Sequence, residues 1–257
     1  MPFQAPPIEA DLSLPMQPNP AEPIDAAPFV PLPSFDPRTV PVSAVDDHLP
    51  AVAALQLTDI ALRARFATPP TWSPEVWREP RFADRAPALA AVLVPIVMRD
   101  VPTVLLTVRT THLSTHSGQV AFPGGRIDPQ DINVAAAAMR EAWEEVGLES
   151  RFIEVLGSLP TYTTGTSFII TPVVALVKPG FELTINPYEV ADSFEVPVEF
   201  LMNPANHRRH TIEWESPDGE WQRREWFSMP YQDGAHERFV WGATAGMLRN
   251  LYRFLSA

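Results

Sequence analysis

The apolar positions of this chain change their period several times, and each change marks an element. From Ala88 to Met98 nearly every residue is apolar, a run of strand length that fits a strand buried on both faces. Asp100 supplies a turn, and Pro102 to Arg109, rich in Val, Leu and Thr, reads as a second strand. Asn133 to Val146 switches to helical spacing. Ala135, Met139, Ala142, Trp143 and Val146 share one stripe there, and Gly147 follows as a stop. Phe152 to Leu159 and Phe168 to Val177 read as strands. Arg209 to Glu215 and Trp221 to Met229 flank Ser216-Pro217-Asp218-Gly219, which predicts a hairpin. A last helix is expected over Thr244 to Leu255, with Met247, Leu248, Leu251 and Leu255 at helical spacing.

Ahead of these elements the pattern is set by proline. Thirteen of the thirty prolines lie in residues 1 to 50, a density that removes backbone donors and blocks helix. This stretch predicts an extended arm, with Phe29, Val30, Leu32 and Phe35 as apolar grips. It suits either a passive wrap over the domain or a polyproline ligand for a partner. Asp47 to Phe66 reads as a helix with Leu55, Ile60, Leu62 and Phe66 buried, ended by Pro69 and Pro70. The organisation expected is a proline-rich arm over 1–50, a helical lead-in over 51–85 and a main domain over 86–257. The mixture of elements predicts an α+β fold, with a mixed sheet between helices in an α/β/α sandwich.

Composition narrows the function. A hydrophobic fraction of 46% supports a packed core, and a formal charge of −12 argues against broad binding to nucleic acid or to anionic membranes. The chain has no cysteine, which excludes disulfides and thiolate metal sites. No apolar run reaches the ~18–20 residues of a membrane span. Met1 to Pro7 lacks the basic start and apolar segment of a signal peptide, so the expected location is the cytoplasm.

The chemistry is concentrated behind Gly124-Gly125. On the helix that follows, Glu141, Glu144 and Glu145 fall within roughly a 100° arc, where like charges repel. Two readings fit, a solvated face and a site for a hard divalent cation. The face carries no lysine, and Lys178 is the only lysine in the chain, so lysine does not neutralise it. Arg140, four residues before Glu144, is placed to pair with it.

Gly125, five residues, Asp131, then Arg140-Glu141-Ala142-Trp143-Glu144-Glu145-Val146-Gly147-Leu148 resembles the Nudix box, G-x5-E-x7-R-E-U-x-E-E-x-G-U with U aliphatic. Asp131 stands for the first Glu, and eight rather than seven residues separate it from Arg140. The flanks resemble the coenzyme A pyrophosphatase branch of that family. They comprise Leu105-Leu106-Thr107-Val108-Arg109, His116-Ser117-Gly118-Gln119-Val120-Ala121-Phe122-Pro123-Gly124-Gly125, and Asn186-Pro187-Tyr188-Glu189-Val190. Thr110 and Ser114 depart from that signature.

The resemblance implies a Nudix-type sandwich and a pyrophosphohydrolase using Mg²⁺ or Mn²⁺. Glu141, Glu144 and Glu145 would supply metal carboxylates, with a backbone carbonyl from Gly125, and Arg140 would hold the carboxylates in place. Glu189 is the candidate general base, with Glu141 in reserve. Asp128 and Asp131 are assigned to the turn and the helix N-terminus. Arg109 and Arg126 are expected to receive phosphates. Tyr162 and Phe168 suit either stacking on adenine or simple burial. His112 and His116 have i,i+4 spacing but no third ligand, so polar loop roles are expected, and the pair His207 and His210 lacks a metal context as well. The substrate implied is a CoA-like dinucleotide, cut to 3′,5′-ADP and 4′-phosphopantetheine. The alternatives are another nucleoside diphosphate derivative, such as NADH or ADP-ribose, and a non-catalytic binding module. No nucleic-acid or membrane partner is expected, and an arm of this kind is compatible with a homodimer.

Overall fold

A computed structural model describes residues 31–110 and 118–257. His112, Ser114 and His116, with the first thirty residues of the arm, lie outside them. Strand β1 (Val42–Val45) precedes helix α1 (Asp59–Ala67). Then come β2 (Ala88–Val97), β3 (Thr103–Arg109), β4 (Val120–Ala121), β5 (Gly124–Arg126) and helix α2 (Val134–Val146). They are followed by β6 (Ile153–Ser158), β7 (Tyr162–Thr163), β8 (Phe168–Val177), β9 (Val190–Pro197) and the single turn α3 (Val198–Leu201). Strands β10 (Arg208–Glu215), β11 (Trp221–Asp233) and β12 (His236–Trp241) lead into helix α4 (Gly242–Ser256).

The main sheet is mixed. β2 and β8 pair in parallel along their whole length, from Ala88 opposite Phe168 to Val97 opposite Val177. Both strands are covered on both faces, which is why their sequences are almost continuously apolar. Their residues still alternate. Val92, Val94, Ile96, Val174 and Leu176 enter one core with α4, while Ala91, Leu93, Val97, Val173, Ala175 and Val177 enter another with α2. The expected α/β/α sandwich is present, with a second sheet, ordered β1-β10-β11-β12, added on the α4 side.

One irregularity of the main sheet positions the site. β2 meets β3 only at Ile96 and Val97, whereas its other end, Ala90 to Val92, meets β5. β3 meanwhile pairs with β4 at Thr107 and Val108 and with β9 on its far side. The two strands therefore splay apart, and the segment from Val120 to Arg126 fills the fork between them. Gly124 and Gly125 belong to a short strand in that fork rather than to a free turn.

Helix α2 forms where expected. Asn133 caps it, its Oδ1 accepting the Ala136 N–H at 2.8 Å, and Gly147 ends it at φ 71°. The face turned to the sheet is made of small residues, Ala135, Ala138 and Ala142 with Val146, which lets the helix axis lie close to the strands. Trp143 does not join that stripe. It is 43% exposed, while Glu145 is 3% exposed. A tight alanine interface has no room for an indole, and the buried edge turns toward the glutamates instead.

The lead-in departs from expectation. The helix is confined to Asp59–Ala67, because Thr58 caps it by accepting the Ala61 N–H, and the stretch before it contains Pro50 and only a single 3₁₀ turn. Leu62 is buried as expected, but Leu55 and Ile60 are 83% and 75% exposed, and Val52 and Leu57 are buried instead. Within the arm, Val42–Val45 pairs antiparallel with β10 as an edge strand. The hairpin of β10 and β11 matches its reading, though β11 runs on to Asp233 and takes β12 as a further partner. Among the described residues no helix is long and apolar enough to cross a membrane.

Candidate active site

Strand β5 lies across the middle of helix α2, and its glycines make the approach possible. A Cβ on Gly125 would fall 2.5 Å from the Glu141 carboxyl carbon and 2.6 Å from each of its oxygens. The carboxyl group of Glu141 therefore occupies the space a side chain at 125 would need. One turn on, Glu145 Oε2 accepts the Gly124 backbone N–H at 3.2 Å, and Arg109 Nη1 stands 3.9 Å from Glu145 Oε1. Two carboxyl groups thus converge on one glycine pair.

Neither is adequately neutralised. Burial, above all, pushes the Glu145 carboxyl up to about 8. The Gly124 N–H and Arg109 oppose the rise, and Glu141 and Glu189 add to it. Glu141 is raised as well, first by burial, against the pull of Arg140 and with the repulsion of Glu144 and Glu189 behind it. Glu189 is thereby within electrostatic reach of both. Its backbone carbonyl accepts the Thr110 N–H at 3.0 Å, which ties the loop carrying it to the end of β3 beside Arg109.

Arg140 binds the outer side of the cluster. Its Nε and Nη2 donate to the two oxygens of Asp131 at 3.0 Å each, and its Nη1 donates to Glu141 at 3.0 Å and to Glu144 at 2.9 Å. Nη2 also reaches the Arg126 carbonyl at 3.1 Å. The sequence reading caught the Glu144 pair but missed the Asp131 pair. Asp131 serves the turn, accepting the Asp128 N–H at 2.8 Å, and it is also the fork-on-fork partner of the arginine. That contact holds its carboxyl below the usual range. The extra residue before Arg140 is absorbed in the turn, so the separation in sequence concealed a contact that survives in space.

The residues suit a hard divalent cation. Glu141 and Glu145 bring carboxyl oxygens together at the glycine pair, and oxygen is the donor such ions prefer. Among the described residues no three His, Asp or Glu side chains close around a common point. Two carboxyl groups are compatible with Mg²⁺, which keeps water and takes one or two carboxylates together with substrate phosphates. Glu144 is half exposed and engaged by Arg140, on the outer edge of this arrangement.

A consequence follows for metal binding. Near pH 7 the metal-free Glu145 holds a proton that a cation must displace. Adding Mn²⁺ is expected to release close to one proton per site at about pH 7 and much less at about pH 9, with affinity rising between the two. Calorimetry in two buffers of different ionisation enthalpy counts the protons. Equal release at both pH values would contradict it.

Gly124 and Gly125, on which these carboxyl groups converge, line a cavity of about 540 Å³ together with Arg109, Arg126 and Phe168. Phe168 is half-buried, with the Arg126 guanidinium 5.7 Å and that of Arg85 4.2 Å from its ring centre. Tyr162 is not brought into this group. It is 2% exposed, packs on Gly246, and donates its hydroxyl to Glu79 at 2.8 Å, so its ring is core and offers no open face for stacking. His207 and His210 are buried and structural. His207 bonds the Leu201 carbonyl at 2.7 Å and is held down to about 4 by burial, and His210 stacks on Trp226.

A family model described as NUDIX domain matches residues 87–233. A protein called uncharacterized Nudix hydrolase NudL from Enterobacter sp. (strain 638) is 41% identical over 162 residues, covering 63% of this chain and 80% of the relative. The protein of that name from Escherichia coli O7:K1 is 42% identical over the same length and the same shares. Among solved structures, a Nudix hydrolase from M. smegmatis, RenU, is 23% identical with a TM-score of 0.36, over 50% of this chain and 79% of that one. That last likeness is too slight to bear on function.

Proposed function

The chain belongs to the family of Nudix hydrolases, and on that premise we propose that it cleaves the pyrophosphate of coenzyme A or a CoA derivative, giving 3′,5′-ADP and 4′-phosphopantetheine. Nudix hydrolases act on pyrophosphate-containing substrates with a divalent cation, here Mg²⁺ or Mn²⁺, so the non-catalytic module is set aside. The observation that carries the reading is the meeting of Glu141 and Glu145 at Gly124–Gly125, beside a cavity that also holds Arg109 and Arg126. The choice of CoA is supported by the flanking segments before β4 and around Glu189.

Glu141 and Glu145, with Glu144 and the Gly125 backbone at the edge, are the groups that would hold the cation. When bound, it would screen the charge of the pyrophosphate and make the attacking water more acidic. Glu189 accepts the proton of that water, from a loop anchored through Thr110 to the strand that carries Arg109. Arg109 and Arg126 receive the phosphate oxygens. Arg126 makes no ion pair among the described residues, so its charge is free for substrate. Arg140 is a positioning residue, which fixes Glu141 and Glu144 against Asp131.

Incubation of the protein with CoA and Mg²⁺ or Mn²⁺, followed by separation of products, is expected to yield 3′,5′-ADP. Glu189→Gln is expected to lower turnover about 10²–10⁴-fold, the usual span of general-base catalysis. A panel containing NADH and ADP-ribose ranks the substrates. If CoA is untouched while either of these is cleaved, the substrate assignment is wrong and the site assignment stands.

A further inference from the structure

The loop that carries Glu189 bridges two elements of the site. At one end the Asn186 N–H donates to the Glu145 carbonyl and the Thr184 N–H to the Val146 carbonyl, each at 2.9 Å. Both acceptors lie in the last turn of α2, where carbonyls have no partner within the helix. The loop thus closes the end of the helix that carries Glu141 and Glu145. It then turns tightly. Asn186 Oδ1 accepts the Tyr188 N–H at 3.2 Å, and the Asn186 carbonyl accepts the Glu189 and Val190 N–H groups at 3.1 and 2.9 Å. At the other end the loop meets Thr110, directly after β3. The Thr110 N–H donates to the Glu189 carbonyl at 3.0 Å, and its hydroxyl donates to the Tyr188 carbonyl at 3.2 Å. The pairing of β9 with β3 slips at this point. Val108 lies opposite Asp192 but Arg109 lies opposite Val190, which leaves Ala191 as an extra residue. Bulges of this kind re-aim side chains next to active sites.

From this we infer that Thr110 is a positioning residue for the reaction. Its hydroxyl holds Tyr188, and through it the backbone of Glu189, so that the base stands in a fixed place relative to the carboxylates of α2. The inference rests on the reading of Glu189 as the general base. No hydrogen bond or ion pair to another described residue holds the Glu189 carboxyl, whereas its backbone is held from both sides. Thr110 is 5% exposed, so water does not readily replace the hydroxyl once it is lost. Thr110 is also one of the positions at which the chain departs from the signature it resembles, and the contact with Tyr188 gives that side chain a task. Its neighbour Arg109 offers a second route by which a change at 110 could reach the substrate, and kinetics separate the two.

Thr110→Val keeps the shape of the side chain and removes the donor. With CoA and Mg²⁺, or with whichever of NADH and ADP-ribose is cleaved, it is expected to lower kcat about tenfold and to leave KM within about twofold. Thr110→Ser, which keeps the hydroxyl, is expected to stay within about twofold of the wild type. In a Glu189→Gln background the valine is expected to cost nothing further, because the group it displaces is already gone. Hydrogen exchange on the metal-free protein needs no substrate. There Thr110→Val is expected to speed exchange of the Tyr188, Glu189 and Val190 amides about tenfold and to leave those of α2 unchanged. Thr110→Ala takes the place of Thr110→Val if the valine variant does not fold. The inference is overturned if kcat is unchanged, if KM rises instead and so points to Arg109, if the valine costs the same factor with and without Glu189, or if exchange in the loop is unaltered. Should no substrate be cleaved, or Glu189→Gln keep wild-type turnover, the reading of the base fails and the inference with it. Should Glu189→Gln be impaired while Thr110→Val is not, the base stands and only the positioning fails.

Discussion

Glu145→Gln is expected to reduce turnover by at least about 10³-fold, roughly 4 kcal/mol of barrier, and at the same time to make the metal-free protein more stable at about pH 8. The two effects have one cause. Glu145 is buried against Gly124 with Arg109 no closer than 3.9 Å, and its carboxyl titrates near 8 instead of 4.5. A raised acid means that the folded chain holds a proton which the unfolded chain releases. Between about pH 4.5 and 8, therefore, the metal-free protein loses stability as pH rises, and the loss is complete above the folded value. Glutamine copies the protonated form in shape and keeps an oxygen for the Gly124 N–H, so the variant should lack this slope. At about 1.4 kcal/mol per unit the difference at high pH is of order 3–5 kcal/mol, or several degrees in melting temperature. Thermal melts of both proteins from about pH 5 to 9, with chelator present, read it directly. A variant that is less stable than wild type at every pH would show that Glu145 is a structural acid rather than one kept for a cation.

The second large effect separates two adjacent glycines. Gly125→Ala is expected to keep the fold and lose activity about 10²-fold or more, while Gly124→Ala is expected to lose the fold first. A methyl on residue 125 meets the end of the Glu141 side chain, at 2.5–2.6 Å, and that carboxyl can swing away. The displacement costs little stability but moves a catalytic carboxylate, and misplacement by about 1 Å costs a factor of this size. A methyl on residue 124 meets backbone instead, the Ala91 carbonyl at 2.5 Å and the Val92 Cα at 2.6 Å. Backbone cannot yield without parting β5 from β2, so a penalty of about 2–4 kcal/mol is expected. Turnover and melting temperature, measured on both variants, should divide this way. Equal losses of both properties in both variants would contradict the geometry.

Much of this was legible along the chain, for reasons that are local. β2 and β8 announced themselves because strands covered on both faces must be apolar throughout. Helix α2 did so because its alanine face, Asn133 cap and Gly147 stop are each decided within a few residues. The carboxylates of the site share one helix, so their spacing fixes their relative direction. Asp131 was harder, since an inserted residue changes a count without changing which groups meet.

What the sequence alone determined was this helix, its glutamates and the glycine pair before it, because an α-helix has one geometry and a close approach admits one residue type. What only the tertiary structure decided was which rings are open and which walls meet. Tyr162 is sealed on Glu79 while Phe168 faces the cavity, and Trp143 is turned out because alanines crowd the sheet. Phe35, Phe82 and Arg224 lie far apart in the chain and carry no shared periodicity, so nothing along it brings them together. The second sheet does so, by pairing the arm with β10 and laying β11 beside the cavity. Long-range packing of that kind depends on the whole chain's folding at once, and it leaves no mark in any one stretch of residues.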